Sequence, residues 1–276
     1  MPVAGEPPAK YALGHSDQEL ERLGKQGRLV GPITRRFFEG AGLAPGMRVL
    51  DVGSGAGDVA FLAAELVGER GEVVGADRSA DAVAKARARA AARSLRHVSF
   101  REGDPAAMEF DRPFDAVVGR YVLLYQPDPA AMLRKLAASV RAGGVLVFHE
   151  PDWYGVHSNP KAPLYERCSD WIVETLRRSG ASSDTGLGLH RAFVGAGLPA
   201  PTMRLDALIG GGPNAADLLH LNADIVRSLL PEMERLGVAT AAEVEIESLA
   251  ERMIAEAVAA NALLVGRYEV GAWSRT

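Results

Sequence analysis

The sequence predicts an α/β fold, a doubly wound and mostly parallel sheet with helices on both faces. Between Gly46 and Gly144, short apolar runs alternate with segments of helical periodicity. The first of these runs leads into a glycine-rich turn and then into a helix. Strands joined by right-handed helical crossovers are parallel, and their carboxyl ends meet at one edge of the sheet, where such folds bind ligands. That edge is therefore where a functional site is predicted.

The composition indicates a chain that needs no covalent staple. With 276 residues it can form one large domain or two small ones, with a substantial core and no disulfides or metals. Its single cysteine, Cys168, cannot form an intramolecular bridge and is interpreted as a small apolar filler on a helix. Residues 1–20 contain no apolar run of the signal-peptide type, and no later run reaches the roughly 18 apolar residues of a membrane span. A cytoplasmic protein without a membrane partner is predicted.

The charge pattern argues against nucleic acid as a partner. The formal net charge is −4 and the isoelectric point is near 5.9, so phosphate backbones would have to bind a local basic patch. The candidate patch consists of Lys85, Arg87, Arg89, Arg93 and Arg96. These side chains lie within and just after a predicted helix and are interpreted as a solvated face that complements its carboxyl end.

The N-terminal part, residues 1–42, is predicted to be an arm followed by a helical lid. Residues 1–16 carry three prolines and two glycines and are predicted to be the arm. From Asp17 the spacing of the apolar residues predicts two helices, broken near Gly31 and Pro32. The apolar positions are Leu20, Leu23, Leu29, Val30, Ile33, Phe37 and Phe38.

The central part, residues 43–212, is predicted to be the sheet core. The predicted strands are Arg48–Val52, Glu72–Ala76, Val98–Glu102, Phe114–Val118, Val145–His149 and Thr202–Ile209. Helices are predicted to begin near Gly57, Ser79 and Pro129, with a further helix or a turn near Pro105–Glu109. Beyond these, Lys161–Ser179 and His190–Ala196 are predicted to be helical, the second ending at Gly197.

The remaining chain predicts a helical insert and a last strand. Gly210–Pro213 breaks the chain, and two amphipathic helical stretches follow. Their apolar positions are Leu218, Leu221, Ile225 and Leu229 in the first, and Leu249, Met253 and Ala257 in the second, which Thr240 and Glu243 begin with a capping-box pattern. Ala262–Trp273 returns to strand character. Residues 213–258 are predicted to be a substrate cap inserted into the core, and residues 259–276 the final strand of the core.

The strongest functional signal is the segment Val49–Asp58, an apolar strand that enters a glycine-rich turn and a helix. Glycines allow the backbone to turn tightly and to approach a ligand closely. A dinucleotide fingerprint would have a sixth-position glycine where this chain has Asp58, and a carboxylate at a helix start repels pyrophosphate. Asp51 adds a second negative charge. The turn therefore suits a ligand with cationic groups better than a phosphate chain.

This segment resembles motif I of the class I S-adenosylmethionine-dependent methyltransferases, and three later strand ends match the family in order. The resemblance implies that Gly53, Gly55 and Gly57 pack against the cofactor and that Asp51 braces the loop or meets its amino group. Asp77, at the end of the second strand, is expected to bind the ribose hydroxyls, with a helix cap as the alternative role. At the third strand end the family commonly binds adenine through the aspartate of Gly103-Asp104-Pro105, although Pro105 has no N–H to offer.

The resemblance extends from about Leu43 to Pro151 and includes the fourth strand, which ends at Arg120, with its following Pro-Asp-Pro and Gly-Gly elements. It implies a seven-stranded Rossmann-like sheet in which Thr202–Ile209 and Ala262–Trp273 are the last two strands. The Tyr11–Ser16 and Gln26–Arg28 segments are similar to leading helices that close over the cofactor in bacterial small-molecule methyltransferases, and Arg28 is expected to pair with the methionine carboxylate or to face solvent. The predicted cofactor-binding residues are Arg28, Asp51, Gly53, Ser54, Gly55, Gly57, Asp77, Arg78, Gly103, Asp104, Pro105 and Arg120.

Methyl transfer mainly requires alignment of the acceptor, exclusion of water and, for a hydroxyl acceptor, a base. His149, near the carboxyl end of the fifth strand, is the candidate catalytic residue, with a structural role as the alternative; His220 and His15 are weaker candidates. Four aromatic residues are expected to line an acceptor pocket or to belong to the core: Tyr121, Tyr125, Trp153 and Tyr154. No histidine or cysteine pair has metal-ligand spacing, so no metal site is predicted, although dispersed carboxylates stay open as magnesium ligands.

The predicted function is S-adenosylmethionine-dependent methylation of a small organic molecule, on oxygen or carbon first and nitrogen next. S-adenosylhomocysteine would be the product, and a homo-oligomer stays open. One alternative is a binding protein of the same fold that does not methylate and serves ring-closing chemistry or regulation. A nicotinamide-dependent oxidoreductase is the other, disfavoured by Asp51 and Asp58.

Overall fold

A computed structural model describes residues 17–276, with side chains from residue 27 onward. The predicted arm, with His15 and the Tyr11–Ser16 segment, lies outside the described residues. The helices are α1 (Asp17–Ala41), α2 (Asp58–Val67), α3 (Ala80–Ala92), α4 (Pro129–Ala137), α5 (Pro163–Arg178), α6 (Thr185–Gly195), α7 (Ala216–Arg235), α8 (Ala241–Val244) and α9 (Leu249–Ala259). The strands are β1 (Arg48–Val52), β2 (Glu72–Asp77), β3 (Val98–Glu102), β4 (Phe114–Arg120), β5 (Val140–Asp152), β6 (His157–Asn159), β7 (Thr202–Gly211) and β8 (Leu263–Arg275).

The strands form one sheet whose first five members are parallel and lie in the order β3-β2-β1-β4-β5. β8 runs antiparallel beside β5, and β7 pairs antiparallel with β8. All seven predicted strands are present. The order of the strands reverses between β1 and β4, so the ligand crevice expected for this fold lies at the carboxyl ends of these two strands.

An eighth strand, β6, was missed by the sequence analysis. Its three residues, His157–Asn159, include no apolar side chain, so hydrophobic periodicity could not reveal it. It pairs with the beginning of β8, beyond the segment that β5 contacts.

The predicted break near Gly31 and Pro32 is wrong, because α1 runs through both residues as one helix. A proline inside a helix removes one hydrogen bond and crowds the preceding turn. Here the apolar side chains on both sides of the proline are fully or almost fully buried, and they hold the helix against the sheet: Val30, Ile33, Phe37 and Phe38. Tertiary packing therefore outweighs the local preference.

Other boundaries also differ from the prediction, and β5 spans Val140–Asp152 rather than Val145–His149. α6 begins at Thr185 rather than at His190. The sequence did not predict its first turn because Gly186 and Gly188 lower the helix propensity there. Gly186 is needed there, since a Cβ on it would lie 2.8 Å from Cγ2 of Val270. β7 continues into the predicted Gly210–Pro213 break. At Pro105–Glu109, where a helix or a turn was predicted, the chain forms a turn.

The helices bury their apolar sides in three groups. α1, α2 and α3 cover one face of the sheet, and α4 and α6 cover the other. α5, α7 and α9, here called the cap helices, share a separate core with Trp153, Ala262 and Leu264, which lie past the carboxyl end of β5 or at the start of β8. Leu29 packs against this core, so α1 reaches from the sheet to the cap helices. Among the described residues, no helix combines the length and apolar character needed to cross a membrane.

Candidate functional site

The glycine turn after β1 has the backbone conformation that the sequence predicts. Gly53, Gly55 and Gly57 have φ angles of +65°, +50° and +94°, which side-chain-bearing residues rarely adopt. A Cβ built on Gly55 meets no atom of the described residues within 4 Å, so the turn is open there to a ligand.

The other two glycines of the turn are needed for packing within the protein. A Cβ on Gly53 would lie 2.9 Å from Cγ2 of Val122, and one on Gly57 would lie 2.9 Å from the rings of Phe61 and Phe100. Gly57 is also buried. It therefore allows α2 to approach the sheet closely, and the ligand contact of Gly57 stays a prediction.

Asp77 braces the turn, and the helix cap that the sequence left open for it is supplied by Ser79 instead. The Oδ2 of Asp77 accepts a hydrogen bond from the N–H of Gly55 at 2.9 Å, and its Oδ1 accepts one from the N–H of Ser79 at 2.8 Å. Ser79 in turn caps α3 through its hydroxyl. Asp77 stays half-buried. Because a carboxylate has further lone pairs, it can still accept hydrogen bonds from vicinal hydroxyls.

Asp51 is buried without a partner. It is 1% exposed, and neither of its carboxylate oxygens has a hydrogen-bond partner among the described residues. Burial raises the pKa of Asp51 well above its usual value, against the opposing charge of Arg120. The buried hydroxyl of Ser54 in the same turn also has no partner within the described chain. Unsatisfied buried polar groups are costly, so this pair indicates a polar ligand, and for Asp51 one with a cationic donor.

The end of β3 is tied to the end of β2. The N–H of Gly103 donates to the carbonyl oxygen of Asp77 at 2.8 Å, and Arg78 forms an ion pair with Asp104 at 2.6 Å. Asp104 also accepts the N–H of Ala106 at 3.0 Å, while Pro105 is buried. The predicted adenine-binding segment thus lies beside the predicted ribose-binding carboxylate.

Asp58 is a weaker argument against a pyrophosphate ligand than its position in the sequence suggested. It forms a 2.6 Å ion pair with Arg89, which also donates to the carbonyl oxygen of Ala56. Its charge is therefore partly neutralised, and Asp51 alone is the unpaired carboxylate of the turn. Arg89, interpreted from the sequence as part of a solvated face, instead fastens α3 to the start of α2.

On the same face of the sheet, a polar chain leads away from Asp51. Arg120, the last residue of β4, donates to Oγ1 of Thr34 on α1 at 3.2 Å. Thr34 lies 3.1 Å from Nδ1 of His149, whose Nε2 lies 2.8 Å from Oε2 of Glu269 on β8. Burial lowers the pKa of His149, so the ring is neutral. With that charge, the carboxylate of Glu269 favours the proton on Nε2. Nδ1 then faces the Thr34 hydroxyl, whose single proton is shared between Nδ1 and the carbonyl oxygen of Val30 at 3.1 Å.

The environment of His149 fits the structural role that the sequence left open beside catalysis. It is 0% exposed, its two nitrogens face Thr34 and Glu269, and its ring packs edge-on against Phe37 and near Tyr121. The side chain reaches the crevice only through these neighbours. The structure gives it the position of a residue that orients others.

Tyr121 links this chain to a buried arginine. Its hydroxyl donates to Oε2 of Glu269 at 2.6 Å and accepts from Nη2 of Arg267 at 3.0 Å. Its backbone has a φ of +59°, an unusual conformation for a tyrosine, and such strain concentrates at functional sites. Burial raises the pKa of Tyr121 above its usual range. Arg267 pairs with Glu269, and mainly this charge, with the hydrogen bonds from His149 and Tyr121, holds the pKa of Glu269 low despite its burial.

The loop that carries Tyr121 is held from the opposite face of β5. Glu150 is fully buried and accepts the backbone N–H groups of Val122, Leu123 and Leu124 at 2.9, 2.8 and 3.4 Å. Burial raises the pKa of Glu150 to about 8, although the three N–H donors favour its ionised form. The turn after β4 is thereby fixed to the end of β5.

Sequence analysis missed Thr34, Glu150, Arg267 and Glu269. The signal available was weak: charged residues stand inside apolar strand patterns at Glu150, Arg267 and Glu269, where a surface role was the simpler interpretation. Their pairing depends on β5 and β8 being neighbours, with Pro151 opposite Glu269 in the register. Local periodicity contains no information on that pairing.

The remaining predicted residues lie further from the crevice or face solvent. Arg28 is exposed on α1. The preceding residue, Gly27, lies near the start of α2, since a Cβ built on Gly27 would be 3.9 Å from Cγ of Asp58. His220 and Tyr154 are exposed, and Trp153 is buried in the core of the cap helices. In the part of the chain with described side chains, no cluster of three or more histidine, cysteine, aspartate or glutamate residues could hold a metal ion.

A family model and the curated relatives both place the chain among methyltransferases, and the solved structures agree in fold. The family described as "Methyltransferase domain" matches residues 43–182. A nocamycin O-methyltransferase from Saccharothrix syringae is 34% identical over 210 residues, which cover 74% of this chain and 68% of the relative. An aklanonic acid methyltransferase from Streptomyces sp. (strain C5) is 35% identical over 141 residues, 51% of this chain and 63% of the relative.

The chain spans less than two thirds of the length of several curated relatives, such as 48% of a 2-phytyl-1,4-naphtoquinone methyltransferase from Synechococcus elongatus. Among solved structures, geranyl diphosphate C-methyltransferase from Streptomyces coelicolor A3(2) is similar with a TM-score of 0.58 at 18% identity. The superposition covers 98% of this chain and 89% of that one. At this identity the likeness concerns the fold.

Proposed function

The chain belongs to the methyltransferase domain family with the class I fold, and from this premise we propose that it transfers a methyl group from S-adenosylmethionine to a small organic molecule. We favour an oxygen or a carbon as the acceptor atom, with a nitrogen as the next choice. The relatives named for nocamycin and aklanonic acid support a small-molecule acceptor. The product of the cofactor is S-adenosylhomocysteine.

One observation carries the proposal: the unpartnered carboxylate of Asp51 beside the open backbone of Gly55. A pyrophosphate would place negative charge next to this buried acid. The methionine end of S-adenosylmethionine instead brings an ammonium and a sulfonium, either of which the carboxylate stabilises. The residues present therefore fit this cofactor better than a nicotinamide dinucleotide.

The other predicted residues complete the binding site in this proposal. Asp77 accepts hydrogen bonds from the ribose, and Gly103 and Asp104 border the adenine. Ser54 and Arg120 contact the methionine end, and Arg28 on α1 pairs with its carboxylate. The bound cofactor supplies an activated methyl group.

The protein's own contribution is alignment and exclusion of water. The cap helices and α1 shield the strand ends, and residues 213–258 act as the substrate cap within this group. Thr34, His149 and Glu269 hold the hydroxyl of Tyr121 at the end of β4. We assign His149 a positioning role, because its nitrogens face protein atoms rather than the crevice.

The charge and the cysteine content of the chain also bear on its localisation and its partners. We propose a cytoplasmic enzyme without a nucleic-acid partner, either monomeric or homo-oligomeric. The net charge of −4 and the single, buried Cys168 support this setting.

The test uses Asp51→Asn, which keeps the size of the side chain and removes its charge. S-adenosylhomocysteine should bind the variant at least about tenfold more weakly in calorimetry, the factor that a charge-assisted hydrogen bond contributes. The variant should nevertheless unfold at a higher temperature, because the wild type must take up a proton on Asp51 or bury its charge when it folds, and the amide does neither. Asp217→Asn, on the exposed start of α7, is the matched control. Equal affinity of wild type and Asp51→Asn, or tighter binding of a nicotinamide dinucleotide than of S-adenosylhomocysteine, would contradict the proposal.

A further inference from the structure

Arg267 on β8 is a buried guanidinium with unused hydrogen-bond donors. It is 8% exposed, and within the described chain it donates one hydrogen bond, to the hydroxyl of Tyr121. Its Nε lies 3.1 Å from Oε1 of Glu269, close enough for an ion pair, but no hydrogen bond forms there. A guanidinium offers several N–H donors, and desolvated donors without acceptors are costly. Glu269 therefore balances the charge of Arg267, but the terminal N–H groups that do not donate to Tyr121 have no acceptor among the described residues.

The surroundings of Arg267 place that missing acceptor on the substrate side of the crevice. The guanidinium carbon lies 5.2 Å from the ring centres of both Tyr121 and Trp153. These rings follow β4 and β5, whereas the glycine turn and Asp77 follow β1 and β2. Cofactor and acceptor must occupy opposite halves of the crevice for direct transfer, so Arg267 belongs to the acceptor half.

A second buried donor lies in the core of the cap helices. Asn222 on α7 is 3% exposed, and its amide nitrogen has no hydrogen-bond partner among the described residues. Its neighbour is the phenol of Tyr165, whose pKa is raised by burial and lowered in turn by Asn222 and by the charge of Arg267. Asn222 and Arg267 thus both lie near this phenol in one apolar region.

The described acceptor half holds donors but no ready base. Tyr121 keeps its proton, since burial raises its pKa, and His149 is neutral with both nitrogens engaged. Glu269 accepts from Tyr121 and His149 and pairs with Arg267. A neutral alcohol would find no group here to take its proton, whereas an oxygen that is already ionised would need none.

We propose that the methyl acceptor carries an acidic oxygen, a carboxylate or a comparably acidic enol or phenol, which Arg267 binds as a singly charged anion. This inference rests on the proposed methyltransferase function and specifies its substrate class. The anionic oxygen forms a bond to the methyl carbon as the carbon–sulfur bond breaks, and the electron pair of that bond stays on sulfur. The charges of the anion and the sulfonium cancel, and no proton is transferred.

A single negative charge also matches the charges of the site. In the acceptor half Arg267 is opposed by Glu269, so this pair is neutral. The cationic sulfonium then favours one negative charge on the acceptor. A phosphate dianion would bring one negative charge more than the sulfonium can neutralise.

The experiment measures binding rather than turnover. With S-adenosylhomocysteine at saturation, calorimetry compares benzoate with benzamide, 1-naphthoate with 1-naphthamide, and both with 1-naphthyl phosphate. The wild type should bind at least one carboxylate about tenfold or more tightly than its amide, as a hydrogen bond to a charged group contributes. The exposed Arg275→Met on the same strand should behave like the wild type.

Two variants of Arg267 test the assignment, so that the test still works if one of them does not fold. The double variant Arg267→Met with Glu269→Gln leaves no unpaired buried charge, and Arg267→Lys keeps the charge but loses the planar fork. The preference for the carboxylate should disappear in the first and fall several-fold in the second, with S-adenosylhomocysteine affinity unchanged in both. A preference that persists in both, a wild type that binds no carboxylate better than its amide, or tighter binding of the phosphate overturns the inference. A wild type that does not bind S-adenosylhomocysteine overturns the proposed function instead.

Discussion

Asp51 and Asp77 flank the same glycine turn, and their carboxylates are satisfied in different ways. Asp77 accepts two backbone N–H groups, whereas Asp51 has no partner within the described chain. The sequence identified both positions, because each stands at the end of an apolar run. It could not separate their roles, because the difference arises from the direction of the backbone N–H groups in the folded turn.

We predict that Asp77→Ala weakens the binding of S-adenosylhomocysteine by about 1.5–3 kcal/mol, the value of hydrogen bonds to a charged group. The turn also loses its support at the N–H of Gly55, so part of the loss is one of preorganisation. Calorimetry measures the affinity, and circular dichroism checks that the fold is kept. Asp81→Ala, exposed in the first turn of α3, is the control. An affinity equal to that of the wild type would remove Asp77 from the site.

His149 shows where residue-level prediction stops. Its place near the carboxyl end of a strand was correctly expected, but an aromatic and a polar neighbour from α1, Phe37 and Thr34, enclose it. The carboxylate that faces it, Glu269, comes from the last strand. Burial by elements so distant in the chain cannot be inferred from local pattern.

At the scale of elements, the parallel strands were predicted closely because each is a compact apolar run between turns. The elements that were misjudged depend on tertiary contacts: α1 continues through Pro32 because its apolar side is buried, and β6 exists because β8 extends past β5. Propensity is a weak guide where packing or backbone pairing decides.

The cap helices give a prediction for an element. We expect Asn222→Leu to change the affinity for 1-naphthamide, an uncharged probe of the acceptor half, by severalfold in either direction. The affinity for S-adenosylhomocysteine should stay within about twofold, because Asn222 lies among the cap helices rather than at the glycine turn. His220→Leu on the exposed side of the same helix is the matched control. If Asn222→Leu lowered the affinities for 1-naphthamide and S-adenosylhomocysteine equally, the cap helices would not act on the acceptor separately from the cofactor.

For the whole molecule, the arrangement of parallel strands and their crevice followed from the sequence, since strand order and handedness obey general rules. The polar chain from Arg120 to Arg267 did not. It joins α1, β4, β5 and β8, which meet only after the sheet has closed. The residues of the cofactor half could therefore be proposed from motifs, whereas those proposed for the acceptor half required coordinates.

The buried carboxylates make the stability of the whole molecule depend on pH. For Glu150, burial raises the pKa from 4.5 to about 8, so between these values the folded state holds a proton that the unfolded state has released. Stability then falls as the pH rises through this window. Glu150→Gln keeps an acceptor for the backbone N–H groups and removes the titration. Relative to the wild type, it should therefore gain up to about 1.4 kcal/mol per pH unit across the window. His149, whose lowered pKa acts in the opposite direction, is present in both proteins and cancels. Urea unfolding of both proteins across the window measures the difference, and a difference that stays constant with pH would show that Glu150 keeps an ordinary pKa.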